Sequence, residues 1–208
     1  MPKFPRPPVA LPLLGASDTR TLEEGRVVWR VYKTAGSHPS AWNAFRYHGP
    51  VAIGRFDHQA PPAHDDPDRG ILYGALDVIG AMSEAFQDTR TIDRSRREPW
   101  LVGFELELDL VTLDLAGLWP TRAGGSMAIA TGRRDTAQAW SRRIYDVYPD
   151  IQALLYPSSM AGGSLNLALY ERANGHLPFH PRFHAPLTHP GLVLPLQRIA
   201  AQLGYDLV

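Results

Sequence analysis

The stretch "PWLVGFELELDLVTLDL", residues 99–115, constrains the chain most, because its apolar and charged residues alternate. Phe104, Leu106, Leu108 and Leu110 fall on one side; Glu105, Glu107 and Asp109 fall on the other. A period of two belongs to a β-strand, and one polar face belongs to an antiparallel-type sheet. A chain holding such a strand needs partners for it, and four other segments read as strands. "RVVWRVYKT" (26–34) is rich in Val and aromatics. "ILYGA" opens residues 71–88 as a short apolar strand. "IQALLYPSS" (151–159) is a buried strand stopped by Pro157, and "SLNLALYER" (164–172) follows it across the turn "MAGG".

Helices are fewer. After the strand, residues 71–88 continue as "LDVIGAMSEAFQD", whose apolar stripe predicts burial of Ala75, Val78, Ile79, Met82, Ala85 and Phe86. Glu84 stands at the border of that stripe. "RRDTAQAWSRRIYDVYP" (133–149) reads as a helix with Asp135 as N-cap, and "GLVLPLQRIAAQLGYDLV" as a terminal helix with a last short strand. Adjacent strands with interspersed helices define an α+β fold in one domain. Residues 1–20 are expected as an extended, Pro-rich arm and 21–208 as the domain proper. "DHQAPPAHDDPDRG" (57–70) reads as a surface loop.

Composition excludes several functions. Lys plus Arg and Asp plus Glu both number 21, so no global charge recruits nucleic acid or an acidic membrane. Without cysteine there are no disulfides, thiolate nucleophiles or Cys-based zinc sites. The N-terminal prolines break up any signal-peptide core, and no apolar run reaches the roughly 18 residues that span a bilayer. A cytoplasmic protein with no direct nucleic-acid partner and no membrane is expected.

Several segments carry chemistry-bearing residues. His176, His180, His184 and His189 invite a metal reading, but Pro178, Pro181 and Pro186 forbid the regular helix that would stack them. No metal site is expected, and a polar surface loop is the better reading. Glu105 and Glu107 form a pair suited to acid–base work, but the alternation already explains them as a solvated strand face, which is the better reading. "TRAGGSMAIATGRR" (121–134) fits no phosphate-loop or dinucleotide pattern and reads as a flexible loop. Arg55, in "IGRF", has the planar fork that clamps phosphate. Ser158 and Ser159 sit at a strand end without the G-x-S-x-G elbow of a hydrolase.

The order of these pieces carries a resemblance. "WRVY", then "GRF", then "LYGALDVIGAMSEAF" with Tyr73 and Glu84 eleven apart, then "YPSS…NLALY" and the ending "LQRIAAQLGYDL" resemble the RES domain. That family is named for an Arg, a Glu and a Ser in this order. The likeness runs from about Arg26 to Leu207. It implies an ADP-ribosyltransferase-like fold of mixed and antiparallel sheets with flanking helices. It also implies a toxin of a bacterial toxin–antitoxin pair, partnered by an Xre-type helix-turn-helix antitoxin, with NAD as substrate. The nicotinamide–ribose bond would be cleaved by hydrolysis or phosphorolysis, or ADP-ribose passed to a protein, with growth arrest as the result. Water, phosphate and a protein acceptor all stay open. By the resemblance, Glu84, Arg55 and Ser158 are the catalytic set; Arg30, Arg55, Tyr73, Ser158 and Asn166 bind substrate. Arg30 and Arg55 would hold phosphates, Tyr73 would orient the nicotinamide, and Ser158 would position substrate or acceptor.

The chain departs from the family pattern in three places. The connection from Arg55 to Tyr73 is long, which implies a remodelled mouth. "GRFDH" stands where many members have Gly-Arg-Trp-Asn-Pro, and Met160 where many have Arg. A second reading remains beside the enzyme: a RES-like scaffold that binds a nucleotide or partner without turnover.

Overall fold

A computed structural model describes residues 4–208. The first strands are β1 (Thr19–Leu22), β2 (Val27–Lys33), β3 (His48–Gly49) and β4 (His64–Asp65). Then come β5 (Ile71–Ala75), helix α1 (Val78–Ala85), β6 (Thr91–Ile92), β7 (Pro99–Glu105) and β8 (Leu110–Asp114). Helices α2 (Trp119–Arg122) and α3 (Arg134–Val147) precede the hairpin β9 (Ala153–Pro157) and β10 (Leu165–Tyr170). β11 (Phe183–Pro186), α4 (Val193–Leu203) and β12 (Asp206–Leu207) complete the chain. The fold is α+β.

Eight strands form one sheet in the order β1-β8-β9-β10-β5-β2-β7-β11, and only β8–β9 is a parallel pair. β7 and β8 are joined by a four-residue link yet lie five strand spacings apart. A flat sheet would separate them by ~24 Å, at ~4.8 Å per spacing. Five residue steps reach at most ~18 Å, so the sheet must fold over on itself. It bends where it is weakest: β2 meets β5 through a single residue pair, Trp29 and Ala75. Leu22, Val28, Phe104, Leu106, Leu110, Leu155 and Leu167 form a core cluster drawn from both halves of the sheet.

Two further clusters cover the outside. Trp119, Trp140 and Ile144 pack with Leu154, Tyr156 and Tyr170, tying α2 and α3 to the hairpin. Met82 and Phe86, from α1 and its end, pack with Leu101 of β7 and with Leu196 and Ala200 of α4. The arm lies along the first of these clusters: Leu11 and Leu14 pack on it, and Tyr148 Oη donates to the carbonyl of Pro12 at 2.5 Å. Residues 1–3 of the expected arm lie outside the described residues.

Four expectations need correction. The alternating stretch 99–115 is two strands, broken at residues 106–109, and Leu108 is exposed while its pattern mates Phe104, Leu106 and Leu110 are buried. β7 is buried on both faces, because neighbouring Leu101 and Val102 are both covered by the folded sheet and α4. The α1 stripe holds in part: Ala75, Met82 and Phe86 are buried and Val78 and Ala85 pack against the core, but Gly80, Ala81 and Ser83, outside the stripe, are buried as well. Packing against both the sheet and α4 covers the middle of this eight-residue helix on more than one side, while Ala81, Glu84 and Ala85 line a cleft. Asp135 lies in the first turn of α3, paired with the N-cap residue Arg133 at 2.8 Å. Finally, the loop 57–70 begins in the interior, with Asp57, His58 and Gln59 wholly buried.

Candidate active site

The two halves of the sheet part beside the Trp29–Ala75 pair, and a cleft of about 520 Å³ opens there. Arg30 of β2, Tyr73 of β5, Glu84 of α1 and Arg55 of the 51–57 turn all line it. A volume of this size suits a nucleotide-sized ligand. Arg30, Lys33, Arg55, Arg97 and Arg134 outnumber Glu84 and Asp88 on its walls, so the cleft favours an anion despite the neutral chain.

Glu84 is held from behind. α1 starts at Asp77, whose carboxylate accepts from the Gly80 amide at 2.6 Å, satisfying an orphan donor of the first turn. One turn further on, the Glu84 side chain reaches the β9–β10 hairpin. Its Oε1 accepts from Ser158 Oγ at 2.9 Å and from Asn166 Nδ2 at 2.8 Å. Ser158 in turn accepts from the amides of Met160 and Ala161, both at 3.1 Å, which fixes the turn after Pro157. Asn166 is buried on β10, opposite Tyr156 in the hairpin register. Neither Ser158 nor Asn166 lines the cleft; both present their hydrogens to the carboxylate that does.

Arg55 is placed by a turn that sequence patterning does not reveal. Asp57, buried without exposure, accepts from the Val51 amide at 2.8 Å, Arg46 Nη2 at 2.6 Å and Tyr73 Oη at 2.8 Å. Its carboxylate sits against Gly54, where any side chain would collide with it. That explains the glycine of "GRF". Tyr73 Oη also accepts from the Phe56 amide at 2.9 Å. The phenol is therefore committed to the turn; burial, followed by the neighbouring Asp57, pushes its pKa well above the ordinary value. Arg55 Nη1 donates to the carbonyl of Gly132 at 2.7 Å. Burial, then nearby Arg134, lowers the Arg55 pKa.

Arg30 donates from Nη1 to the carbonyl of Tyr73 at 3.1 Å, bridging the split between β2 and β5. Its Nε is buried without a partner. Burial, then Arg46, lowers its pKa to about 10, so it stays cationic at neutral pH. Tyr156 also lines the cleft, its pKa raised by burial and then by Glu84; it is a neutral hydroxyl there. Sequence reading missed Tyr156, Arg134 and Asp57. The basic run "GRR" at the start of α3 was the available signal for Arg134; nothing local marks Asp57 as buried.

The other candidates disperse. His176 contacts Gln152, His184 contacts Tyr32 Oη, and His189 accepts from the Gly191 amide. Among the described residues no group of three or more His, Cys, Asp or Glu could hold a metal. Glu105 pairs with Arg182, and Glu107 lies in the turn between β7 and β8.

A carboxylate anchored by two neutral donors thus stands beside an arginine-rich cleft, at the split of a folded sheet. The RES domain model matches residues 27–189, and the chain belongs to the RES domain family. Among solved structures, it is similar to a chain of the M. tuberculosis MbcT–MbcA toxin–antitoxin complex. That match has a TM-score of 0.56 at 20% identity and covers 87% of this chain and 92% of that one. At this identity the likeness speaks for the fold. No curated protein matches the chain. No helix among the described residues is long and apolar enough to cross a membrane.

Proposed function

We propose that this RES-domain protein is the toxin of a toxin–antitoxin pair and that it consumes NAD by breaking the nicotinamide–ribose bond. The observation that carries the reading is the Glu84 carboxylate, fixed by Ser158 and Asn166 at the wall of a cationic cleft. Family membership and the toxin–antitoxin complex that shares the fold support the toxin role. The natural partner is a small antitoxin of the Xre helix-turn-helix type, which would silence the enzyme in its host.

The chemistry follows from charge. As the C1′–N bond breaks, its electron pair leaves with nicotinamide, which becomes neutral and needs no acid. Positive charge develops on the ribose. A preorganised carboxylate stabilises it without reorganisation, because Glu84 is already held by two donors. Its Oε2, which carries only a long 3.5 Å contact from Gln87 Nε2, polarises the 2′-hydroxyl. Arg55 and Arg30 take the pyrophosphate, whose oxygens match the guanidinium fork, and the orphan Arg30 Nε is a donor awaiting such an acceptor. An acceptor oxygen, from water, phosphate or a protein side chain, then bonds to C1′ and releases its proton.

The test is nicotinamide release from NAD, with and without phosphate. Glu84→Gln keeps the shape and one acceptor oxygen for Ser158 and Asn166 but replaces the other with an NH2 donor and removes the charge, and is expected to slow release by about 10²–10³-fold. Release that is equally fast in the variant would end the reading. NAD binding without release would favour the non-catalytic scaffold.

A further inference from the structure

We propose that the N-terminal arm is a working part of the cleft, with Phe4 acting as a positioning residue for Arg55. The inference rests on the NAD reading and names what sets substrate affinity within it.

The chain of contacts is short. Phe4 stacks on the buried Trp140 of α3, with ring centroids 6.4 Å apart and planes within 15°. Trp140 Nε1 donates to the carbonyl of Pro5 at 2.8 Å, which pins the arm beside the ring. The same Phe4 ring presses on Gly132: a Cβ there would lie 2.8 Å from Phe4 Cδ1 and 2.7 Å from the carbonyl of Ala128. Gly132 is thus clasped from both sides, and its amide donates to Ala128 at 2.6 Å. Its carbonyl accepts from Arg55 Nη1 at 2.7 Å. Ala130 and Arg134, on either side of that glycine, line the cleft.

One aromatic ring therefore backs the turn that aims one arginine and carries another. Among the described residues no carboxylate bonds to the Arg55 guanidinium; the carbonyl of Gly132 is its observed hydrogen-bond anchor. A carbonyl can aim a guanidinium only if the turn bearing it is held still. The family match begins at residue 27, so the brace comes from a segment ahead of the matched region. Affinity for the anionic part of the nucleotide is then set partly by the arm.

Full-length Phe4→Ala, Phe4→Tyr and Val9→Ala proteins provide the test; Val9 is an 88% exposed arm residue. Steady-state nicotinamide release gives KM and kcat, and hydrogen exchange reads the Gly132 amide. Phe4→Ala is expected to raise KM for NAD by about threefold or more with kcat within about twofold, and to speed exchange at Gly132. Phe4→Tyr should restore both values, and Val9→Ala should move neither. If Phe4→Ala does not fold, Phe4→Leu takes its place in the same comparison. An unchanged KM with unchanged exchange overturns the proposal. So does a fall in kcat at constant KM, which would mean that the arm only stabilises the fold. If the unaltered protein releases no nicotinamide, the NAD reading fails; exchange at Gly132 then decides separately whether the brace exists.

Discussion

Ser158 donates its hydroxyl hydrogen to Oε1 of Glu84 at 2.9 Å, across 74 residues of chain. The same hydroxyl oxygen receives two backbone amides. Ser158 therefore couples the turn after β9 to the carboxylate on α1. Ser158→Ala should remove a donor from Glu84 and leave the Met160 and Ala161 amides without their acceptor. We expect kcat/KM for NAD to fall about tenfold, equal to ~1.4 kcal/mol, with a stability loss of ~1 kcal/mol. Steady-state kinetics and urea unfolding measure the two separately. A variant as active as the parent would show that Asn166 alone suffices to hold Glu84.

Gly80 lets α1 lie close to β10. A Cβ there would meet Asn166 Oδ1 at 3.1 Å and Ala75 Cβ at 3.2 Å. Glycine-to-alanine in a helix ordinarily stabilises by ~0.8–1 kcal/mol. At Gly80 that gain should be offset by crowding, and the displaced Asn166 amide should loosen Glu84. The expected result is little net stabilisation with several-fold lower activity, read by thermal melts beside nicotinamide release. A melt raised by the full helix-propensity gain, with activity intact, would contradict the tight packing.

Asp57 is the keystone of the Arg55 turn. Asp57→Ala would leave Arg46, the Tyr73 hydroxyl and the Val51 amide without their acceptor. Asp57 is buried but Arg46 is 35% exposed, so the cost is expected at the lower end of the ~3–5 kcal/mol for breaking a buried pair, a fall of ~10 °C in Tm for a domain this size. Tyr73→Phe keeps the ring and the carboxylate and should cost far less. Calorimetry on the two variants checks the ranking; equal losses would mean that Asp57 acts mainly through Tyr73.

His58 makes stability pH-dependent. Its ring is fully buried; among the described residues Nδ1 has no hydrogen-bond partner, and Nε2 has Glu171 Oε2 as its neighbour at 3.3 Å. Burial lowers its pKa, against the opposing pull of Glu171. The unfolded chain therefore binds a proton near the ordinary value of about 6.5 that the folded protein does not bind until lower pH. Stability from this group is complete above that value and declines as pH falls below it. Urea unfolding between pH 7.5 and 5.5 should show the decline, and His58→Phe should flatten it. An unaltered slope in that variant would assign the dependence to other groups.

The sequence by itself determined most of the element types and named four residues that line the cleft, Arg30, Arg55, Tyr73 and Glu84, but not Tyr156 or Arg134. Period two marked β2, apolar segments on either side of the turn "MAGG" marked β9 and β10, and an apolar run into a short helix marked β5 and α1, because side-chain patterning is a local property of the backbone. The Arg, Glu and Ser of the family pattern were also legible, because they are a matter of residue order. What only the tertiary structure decided concerns which distant groups meet. The alternation of residues 99–115 continues through a turn, because a periodic pattern does not say where a strand loses its partner. Asp57 stands in a segment of prolines and aspartates, and it is buried because Arg46 and Tyr73 converge on it from elsewhere in the chain. Glu84 looks like a misplaced surface residue until β10 brings Asn166 beneath it. Burying a polar group is tolerable only when partners are in place, and those partners are set by long-range pairing that no local window of sequence contains.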